Sequence, residues 1–135
     1  MKYLLDINVL LAAIWANHPQ YSIADAWLAG KSVAVCPISE LGFLRISTNR
    51  KTIAAPMKDA RTALEKFLAE TKATRIDDDL PALASSPATS DQVTDQYLAA
   101  LADRHGYKLA TLDRAIQHAA VELIEPIGRA GERNR

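Results

Sequence analysis

Four acidic residues lie next to apolar segments in distant parts of the chain: Asp6, Glu40, Asp95 and Asp113. Asp6 is the most unusual, because the stretch "KYLLDINVLLAAI" (residues 2–14) places apolar runs on both sides of it. Burying a lone carboxylate is costly unless a partner compensates its charge. Carboxylates gathered at one place would raise each other's pKa, and a divalent cation would relieve that repulsion. Mg²⁺ suits such a group, because it prefers oxygen ligands and is often shared between carboxylates and a substrate phosphate.

Each acid also has an ordinary interpretation when it is taken alone. Aspartate after a strand commonly forms a turn or caps a helix, so Asp113 could cap the segment that follows it. Glu40 could be an exposed helix residue. The elements around the acids therefore decide whether they meet.

Short apolar or β-branched runs alternate with amphipathic segments along the chain. Strands are predicted at "KYLL", "SVAV", "ATRI", "YKLAT" and "VELI". Helices are predicted at "NVLLAAIWA", "SIADAWLA", "PISELGFLRIS", "MKDARTALEKFLAE", "DQVTDQYLAALADRHG" and "LDRAIQHA". Pro37 is predicted in the first turn of the third helix, and Ser90 and Gly106 as caps of the fifth. The alternation predicts an α/β fold with a parallel sheet covered on both faces.

Such a sheet would bring the four acids to one edge, because ligands bind beyond the carboxyl ends of parallel strands. Asp6 directly follows the first strand, and Asp113 comes just after the fourth. Glu40 lies in the first turn of the helix after the second strand. Asp95 lies near the start of the helix that returns to the fourth strand. A site that polarises a phosphodiester and activates water is the chemistry expected there.

Composition limits the alternatives. The chain has 135 residues, of which 49% are hydrophobic, so one domain is expected, at residues 1–128, followed by a disordered polar tail at 129–135. Equal numbers of acidic and basic residues, 16 each, argue against a protein that coats nucleic acid. Cys36 is the single cysteine, which excludes an internal disulfide and a cysteine-rich zinc site. A cytoplasmic location is expected, since neither a signal peptide nor an apolar span is evident.

Four blocks of the sequence resemble, in order, the acidic blocks of PIN-domain ribonucleases: "LLDINVLLA", "PISELGFLRIS", "VTDQYLAALA" and "LATLDRAI". The sequence is most similar to VapC-type toxins of bacterial toxin–antitoxin pairs. The resemblance implies a three-layer α/β/α fold with a five-stranded parallel sheet. It also implies an Mg²⁺- or Mn²⁺-dependent endoribonuclease that hydrolyses RNA with a metal-bound water, forms a homodimer and is inhibited by a cognate antitoxin protein.

The resemblance also implies individual roles. The catalytic and metal-binding acids of the family fall on Asp6, Glu40, Asp95 and Asp113. Asn8 matches the polar residue two positions after the first acid, and Thr111 matches the hydroxyl residue two positions before the last. Both would orient a carboxylate or a water from behind the acids.

Three further residues keep open roles. Arg45, in the similar stretch "FLRISTNRK", could contact the scissile phosphate or pair with an acid on the helix surface. Asp91 lies one helical turn before Asp95, and it could be a first-turn acid favoured by the helix dipole or approach the metal through water. His18 is interpreted as a residue at the end of the first helix rather than as a catalytic base.

Other functions fit parts of the same pattern. A catalytically silent PIN-fold binding module would keep the fold without hydrolysis, although the presence of all four acids argues against it. A haloacid-dehalogenase-like phosphatase would need a second aspartate two positions after Asp6, where Asn8 stands. The choice among transfer, ribosomal and messenger RNA as the target stays open, because RNA is recognised largely through shape and single-stranded bases.

Overall fold

A central sheet of five strands organises the computed structural model, which describes residues 1–126. The strands are β1 (Lys2–Leu5), β2 (Ser32–Val35), β3 (Thr74–Arg75), β4 (Lys108–Thr111) and β5 (Val121–Leu123). They lie in the order β3-β2-β1-β4-β5, and every neighbouring pair is parallel. The predicted polar tail at 129–135 and the last two residues of the predicted domain lie outside the described residues.

Five helices connect the strands: α1 (Ile7–Ile14), α2 (Tyr21–Leu28), α3 (Pro37–Thr48), α4 (Met57–Thr71) and α5 (Val93–Arg104). Within residues 1–126, no helix is both long enough and apolar enough to cross a membrane. All five strands and the first five helices were predicted within a few residues of their observed bounds. The predicted three-layer α/β/α architecture is confirmed.

Two apolar cores lie on opposite faces of the sheet, because successive residues of a strand point to opposite sides. The first core joins the sheet to α1–α4 and includes Leu5, Val9, Leu10, Trp27, Val33, Val35, Phe43, Leu64 and Ala110. The second joins the sheet to α5 and includes Leu4, Ala34, Cys36, Ile76, Tyr97, Leu98, Leu101 and Leu109. Strand neighbours such as Leu4 and Leu5 therefore anchor both layers of helices.

A close approach of α1 and α3 depends on Gly42. This residue is buried in α3, and a Cβ atom added there would lie 2.3 Å from the Cδ1 atom of Ile7. Ile7 is the first residue of α1 and directly follows Asp6. A glycine at this position therefore allows α3 to pack beside the start of α1.

Two local predictions were wrong. A helix was predicted over residues 112–119, but the structure shows turns there. The Asp113 carboxylate accepts a hydrogen bond from the N–H of Ala115 at 2.8 Å, and the His118 ring accepts one from Ala120 at 3.0 Å. These side chains satisfy backbone donors locally and so compete with helix formation.

The start of α5 also differs from the prediction. Ser90 does not cap the helix; it begins a short 3-10 turn (Ser90–Gln92) that leads into α5 at Val93. At the other end His105 is the cap, and Gly106 follows it with a φ of +74°. Gly106 was predicted as the cap itself and lies one residue beyond it, where glycine adopts the left-handed conformation without steric cost.

Candidate active site

Asp6 lies at the carboxyl edge of the sheet, between β1 and α1. Its N–H donates to the carbonyl of Ala110 at 3.0 Å, which ties the residue to the neighbouring strand β4. Its side chain is only 3% exposed, and Oδ1 accepts a hydrogen bond from the N–H of Ile7 at 2.8 Å. The carboxylate therefore caps α1 and is compensated by hydrogen bonds in the apolar surroundings that the sequence indicated.

Thr111 supplies the second partner of that carboxylate. Its hydroxyl donates to Asp6 Oδ2 at 2.8 Å and accepts hydrogen bonds from the Asn8 side chain at 3.2 Å and from the N–H of Asp113 at 3.1 Å. The Asn8 carbonyl oxygen in turn accepts from the N–H of Leu112 at 3.2 Å. The two polar residues singled out in the sequence thus join the end of β4 to the start of α1 and fix the orientation of Asp6.

A cavity of about 360 Å³ opens beside this network. Three acidic residues line this cavity: Asp91, Asp95 and Asp113. Three glutamines also line it: Gln92, Gln96 and Gln117. The aspartates come from the turn before α5, from the first turn of α5 and from the segment after β4. Side chains from two separate parts of the chain, residues 91–96 and 113–117, therefore face one space.

The charges of these acids oppose one another. The pKa of Asp95 is raised to about 6, first by burial and then by repulsion from Asp6, Asp113 and Asp91. The pKa of Asp6 is raised above its ordinary value mainly by burial, and repulsion from Asp113 adds to this, while the hydrogen bonds from Thr111 and Ile7 act in the opposite direction. Asp91, which the sequence left ambiguous, belongs to the same electrostatic group.

Glu40 lies apart from the aspartates. Its Oε1 atom is 3.3 Å from Nε of Arg75, the last residue of β3, and Glu40 is not among the charges that raise the pKa of Asp6 or Asp95. The structure therefore brings three of the four predicted acids together and pairs the fourth with an arginine that the sequence analysis did not single out. Ligands bind beyond the carboxyl ends of parallel strands, and this carboxyl-edge rule, applied to the predicted strand "ATRI", could have identified Arg75.

A divalent cation fits the chemistry of this donor set. Every charged donor is a carboxylate oxygen, the type that Mg²⁺ and Mn²⁺ prefer. Burial and then repulsion between the acids already disfavour the ionised form of Asp95, and a bound cation would favour it. In the described part of the chain, however, no three acidic, histidine or cysteine side chains converge closely enough to hold a metal ion as they stand. Metal binding at this edge would require the carboxylates to close together.

Two of the remaining candidates have distinct surroundings. Arg45 is exposed and lines a second cavity of about 350 Å³ with Ile7, Ile38, Leu41 and Thr94, and within residues 1–126 it forms no ion pair. The His18 ring accepts a hydrogen bond from the N–H of Gln20 at 3.0 Å. His18 thus lies in the turn between α1 and α2, beyond the end of α1 at Ile14, and not at the end of the helix where the sequence interpretation put it.

Comparison with known proteins agrees with the fold. The family model of the PIN domain matches residues 3–122. The chain therefore belongs to the PIN-domain family.

Its curated relatives include VapC ribonucleases of Mycobacterium tuberculosis. Ribonuclease VapC39 is 36% identical over 138 residues, which cover 93% of this chain and 99% of that protein. Ribonuclease VapC38 is 35% identical over 126 residues, covering 84% and 86% respectively. The predicted likeness to VapC-type PIN-domain ribonucleases is confirmed.

A solved structure shares the fold at lower sequence similarity. The crystal structure of VapBC2 from Rickettsia felis, bound to a DNA fragment from their promoter, matches with a TM-score of 0.58 and 16% identity. The match covers 85% of this chain and 90% of the other. The likeness extends over most of both chains, and it concerns the fold.

Proposed function

We propose that this chain is a metal-dependent endoribonuclease that acts as the toxin of a toxin–antitoxin pair. The observation that carries the proposal is the group of aspartates, Asp6, Asp95 and Asp113, gathered at the carboxyl edge of the sheet with a raised pKa at Asp95. Family membership and the names of the VapC relatives support ribonuclease activity. The all-oxygen donor set supports Mg²⁺ or Mn²⁺ as the cofactor.

Asp6, Asp95 and Asp113 are the proposed metal ligands, with Glu40 as a fourth that must first separate from Arg75. Mg²⁺ or Mn²⁺, when bound there, supplies positive charge that activates water and stabilises a phosphoryl oxygen. The protein's own contribution is orientation: Thr111 and the Ile7 N–H each bind one oxygen of Asp6, and Asn8 holds Thr111 in place. Residues that hold metal ligands by hydrogen bonds in this way tune metal affinity and activity.

Arg45 is a candidate contact for RNA beside the start of α1.

A cognate antitoxin protein and a second copy of this chain are the proposed partners. The VapC relatives and the VapBC2 complex of the structural neighbour support both. A cytoplasmic location follows from the proposed RNA substrate. The alternative is a catalytically silent PIN-fold module that binds RNA or protein without hydrolysis.

The test is cleavage of total cellular RNA by the purified, antitoxin-free chain. We expect discrete fragments in the presence of Mg²⁺ or Mn²⁺, none with chelator, and none from Asp6→Asn at matched folding. Asp25→Asn, an exposed carboxylate in α2, is the matched control and should cleave normally. Mapping the fragment ends would identify the target RNA and should give 5′-phosphate and 3′-hydroxyl products.

Each contrary result has a distinct meaning. A folded, metal-loaded chain that cleaves no RNA would favour the silent binding module. Cleavage that survives Asp6→Asn would place the active site elsewhere or indicate a contaminating nuclease.

A further inference from the structure

Arg75 lies on the same edge of the sheet as the acids. It is the last residue of β3 and pairs with Val35, the last residue of β2, and the N–H of Ile76 donates to the Val35 carbonyl at 2.9 Å. β2 in turn pairs with β1, which ends directly before Asp6. Neighbouring strands lie about 4.8 Å apart, so Arg75 is offset from the Asp6 backbone by roughly 10 Å along the edge.

The guanidinium of Arg75 is held in place but remains accessible. Its side chain is 67% exposed, and Nε lies 3.3 Å from Glu40 Oε1, whose side chain is 23% exposed. The contact is an ion pair without hydrogen-bond geometry, and within residues 1–126 Glu40 is the single acid paired with Arg75. A guanidinium has five N–H donors, so it can bind a further anion while Glu40 restrains it.

The acidic edge needs such a cation if it is to hold RNA. Asp6, Asp91, Asp95 and Asp113 repel a polyanion, and the chain as a whole carries no net charge. Phosphate contacts supply most of the affinity for nucleic acid and set its register, and arginine forms them in a planar, bidentate manner. Arg45, beside the start of α1, is already a candidate RNA contact, and Arg75 would add a second one farther along the edge. Arg104 is paired with Asp79 at the end of α5 that leads to the opposite edge, and Arg114 is paired with Glu125.

We infer that Arg75 is a substrate-positioning residue that binds a backbone phosphate flanking the scissile one. The inference rests on the proposed ribonuclease function. The lateral offset from Asp6 separates Arg75 from the reacting phosphate, so its role is to hold the strand in register rather than to take part in bond cleavage. Before metal binds, the pairing with Glu40 holds the guanidinium at this edge.

The experiment compares Arg75→Gln and Arg75→Lys with Arg104→Gln, a matched control that also removes one arginine from an ion pair with an acid. Cleavage of an RNA oligonucleotide containing the mapped site is measured at saturating Mn²⁺, because loss of Arg75 also frees Glu40. Binding of the same oligonucleotide is measured by fluorescence anisotropy at salt concentrations from about 50 to about 300 mM. The proteins used for binding also carry Asp6→Asn, which prevents cleavage.

We expect Arg75→Gln to raise KM about five- to tenfold with little change in kcat, because a phosphate contact made equally in the ground and transition states is lost. The slope of log K against log salt concentration should become shallower by about 0.7, the value for one phosphate contact to a single strand. Arg75→Lys should retain the slope and part of the affinity, and Arg104→Gln should match the parent protein.

Unchanged KM and salt slope in Arg75→Gln, with the parent chain cleaving normally, would overturn the inference. A fall in kcat alone would also overturn it, since it would indicate a role in the chemical step or in the structure of the site. Absence of cleavage by the parent chain would instead contradict the proposed function. The salt slope would then be measured with a single-stranded RNA of mixed sequence, and it would still decide whether Arg75 binds phosphate.

Discussion

The Thr111 hydroxyl donates a hydrogen bond of 2.8 Å to Asp6 Oδ2, and the two residues lie 105 positions apart in the chain. Thr111 is fully buried, and the bond joins the end of β4 to the residue that follows β1. The same hydroxyl also accepts hydrogen bonds from the Asn8 side-chain amide and from the Asp113 N–H. The orientation of one acid and the start of the segment carrying another therefore depend on the same oxygen atom.

Thr111→Val tests this dependence with little change of shape. The valine leaves Asp6 Oδ2, the Asn8 amide and the Asp113 N–H without their partner. We expect the free energy of unfolding to fall by about 1–3 kcal/mol, the cost of buried polar groups left unsatisfied. RNA cleavage should fall further than stability explains, because Asp6 would lose its fixed orientation.

Thr111→Ser is the control, since it keeps the hydroxyl and removes a methyl group. Thr111→Ser should restore most of the cleavage rate. The rates are measured at a temperature at which circular dichroism shows that the parent protein and both variants are folded. If Thr111→Val cleaved RNA as fast as Thr111→Ser, Thr111 would have no orienting role.

Asp95→Asn should make the protein more stable at neutral pH. The pKa of Asp95 in the folded protein is about 6, above its ordinary value of 3.8, so the folded state binds more protons than the unfolded state between these values. The free energy of unfolding therefore decreases as the pH rises from about 4 to about 6. Because Asp95 is only partly buried, the penalty at pH 7 is about 1–2 kcal/mol after allowance for solvent screening.

Urea unfolding at pH 4.5 and pH 7, without divalent cations, measures this effect. Asp95→Asn should be more stable than the parent protein at pH 7, and the difference should fall to about a third of that value at pH 4.5, because this pH still lies slightly above the ordinary pKa of 3.8. The exposed Asp25→Asn should show no such difference. Equal stability of Asp95→Asn and the parent at pH 7 would mean that burial and the neighbouring aspartates together do not raise the pKa of Asp95 in the folded protein.

Gly42→Ala should disturb the packing beside Asp6. The added Cβ would lie 2.3 Å from Ile7 Cδ1 and 2.7 Å from Ile7 Cγ1, so Ile7 must move. Overpacking of this kind typically costs about 1–3 kcal/mol. Ile7→Ala removes both atoms, so the double variant should recover part of the stability lost in Gly42→Ala.

Thermal unfolding of the parent, both single variants and the double variant completes a double-mutant cycle. A favourable coupling between the Gly42→Ala and Ile7→Ala substitutions would identify the steric contact as the cause. Additive losses would show that α3 shifts as a unit and that the Ile7 side chain is not what resists the new methyl group.

Most of the fold could be predicted from the sequence because each strand and each of the first five helices has a local signal. Alternating apolar runs identify the buried strands, and helical spacing identifies α4 and α5. The carboxyl-edge rule then related Asp6 to Asp113 without any contact information. The same rule brought Glu40 to this edge but did not predict its pairing with Arg75, because that pairing depends on β3 lying beside β2 in the sheet. The helix predicted at 112–119 is absent from the structure because the Asp113 carboxylate accepts a hydrogen bond from the Ala115 N–H. This hydrogen bond competes with helix formation, and the spacing of apolar residues gives no sign of it.

Glu40 and Arg75 should affect Mn²⁺ affinity in opposite directions, and this is the sharpest test of whether Glu40 belongs to the metal site. If Glu40 leaves Arg75 to join the aspartates, then Arg75→Gln removes a competitor for the carboxylate and should tighten Mn²⁺ binding. Glu40→Gln removes a ligand and should weaken it, by about tenfold. Isothermal titration calorimetry with Mn²⁺ alone measures both without any RNA, and Asp113→Asn provides the reference for loss of an acid from the cavity. The double variant Glu40→Gln with Arg75→Gln should resemble Glu40→Gln, because the competitor no longer matters once the ligand is gone. Unchanged affinity in both single variants, with Asp113→Asn weakened, would restrict the metal site to the aspartates and leave Glu40 as the partner of Arg75.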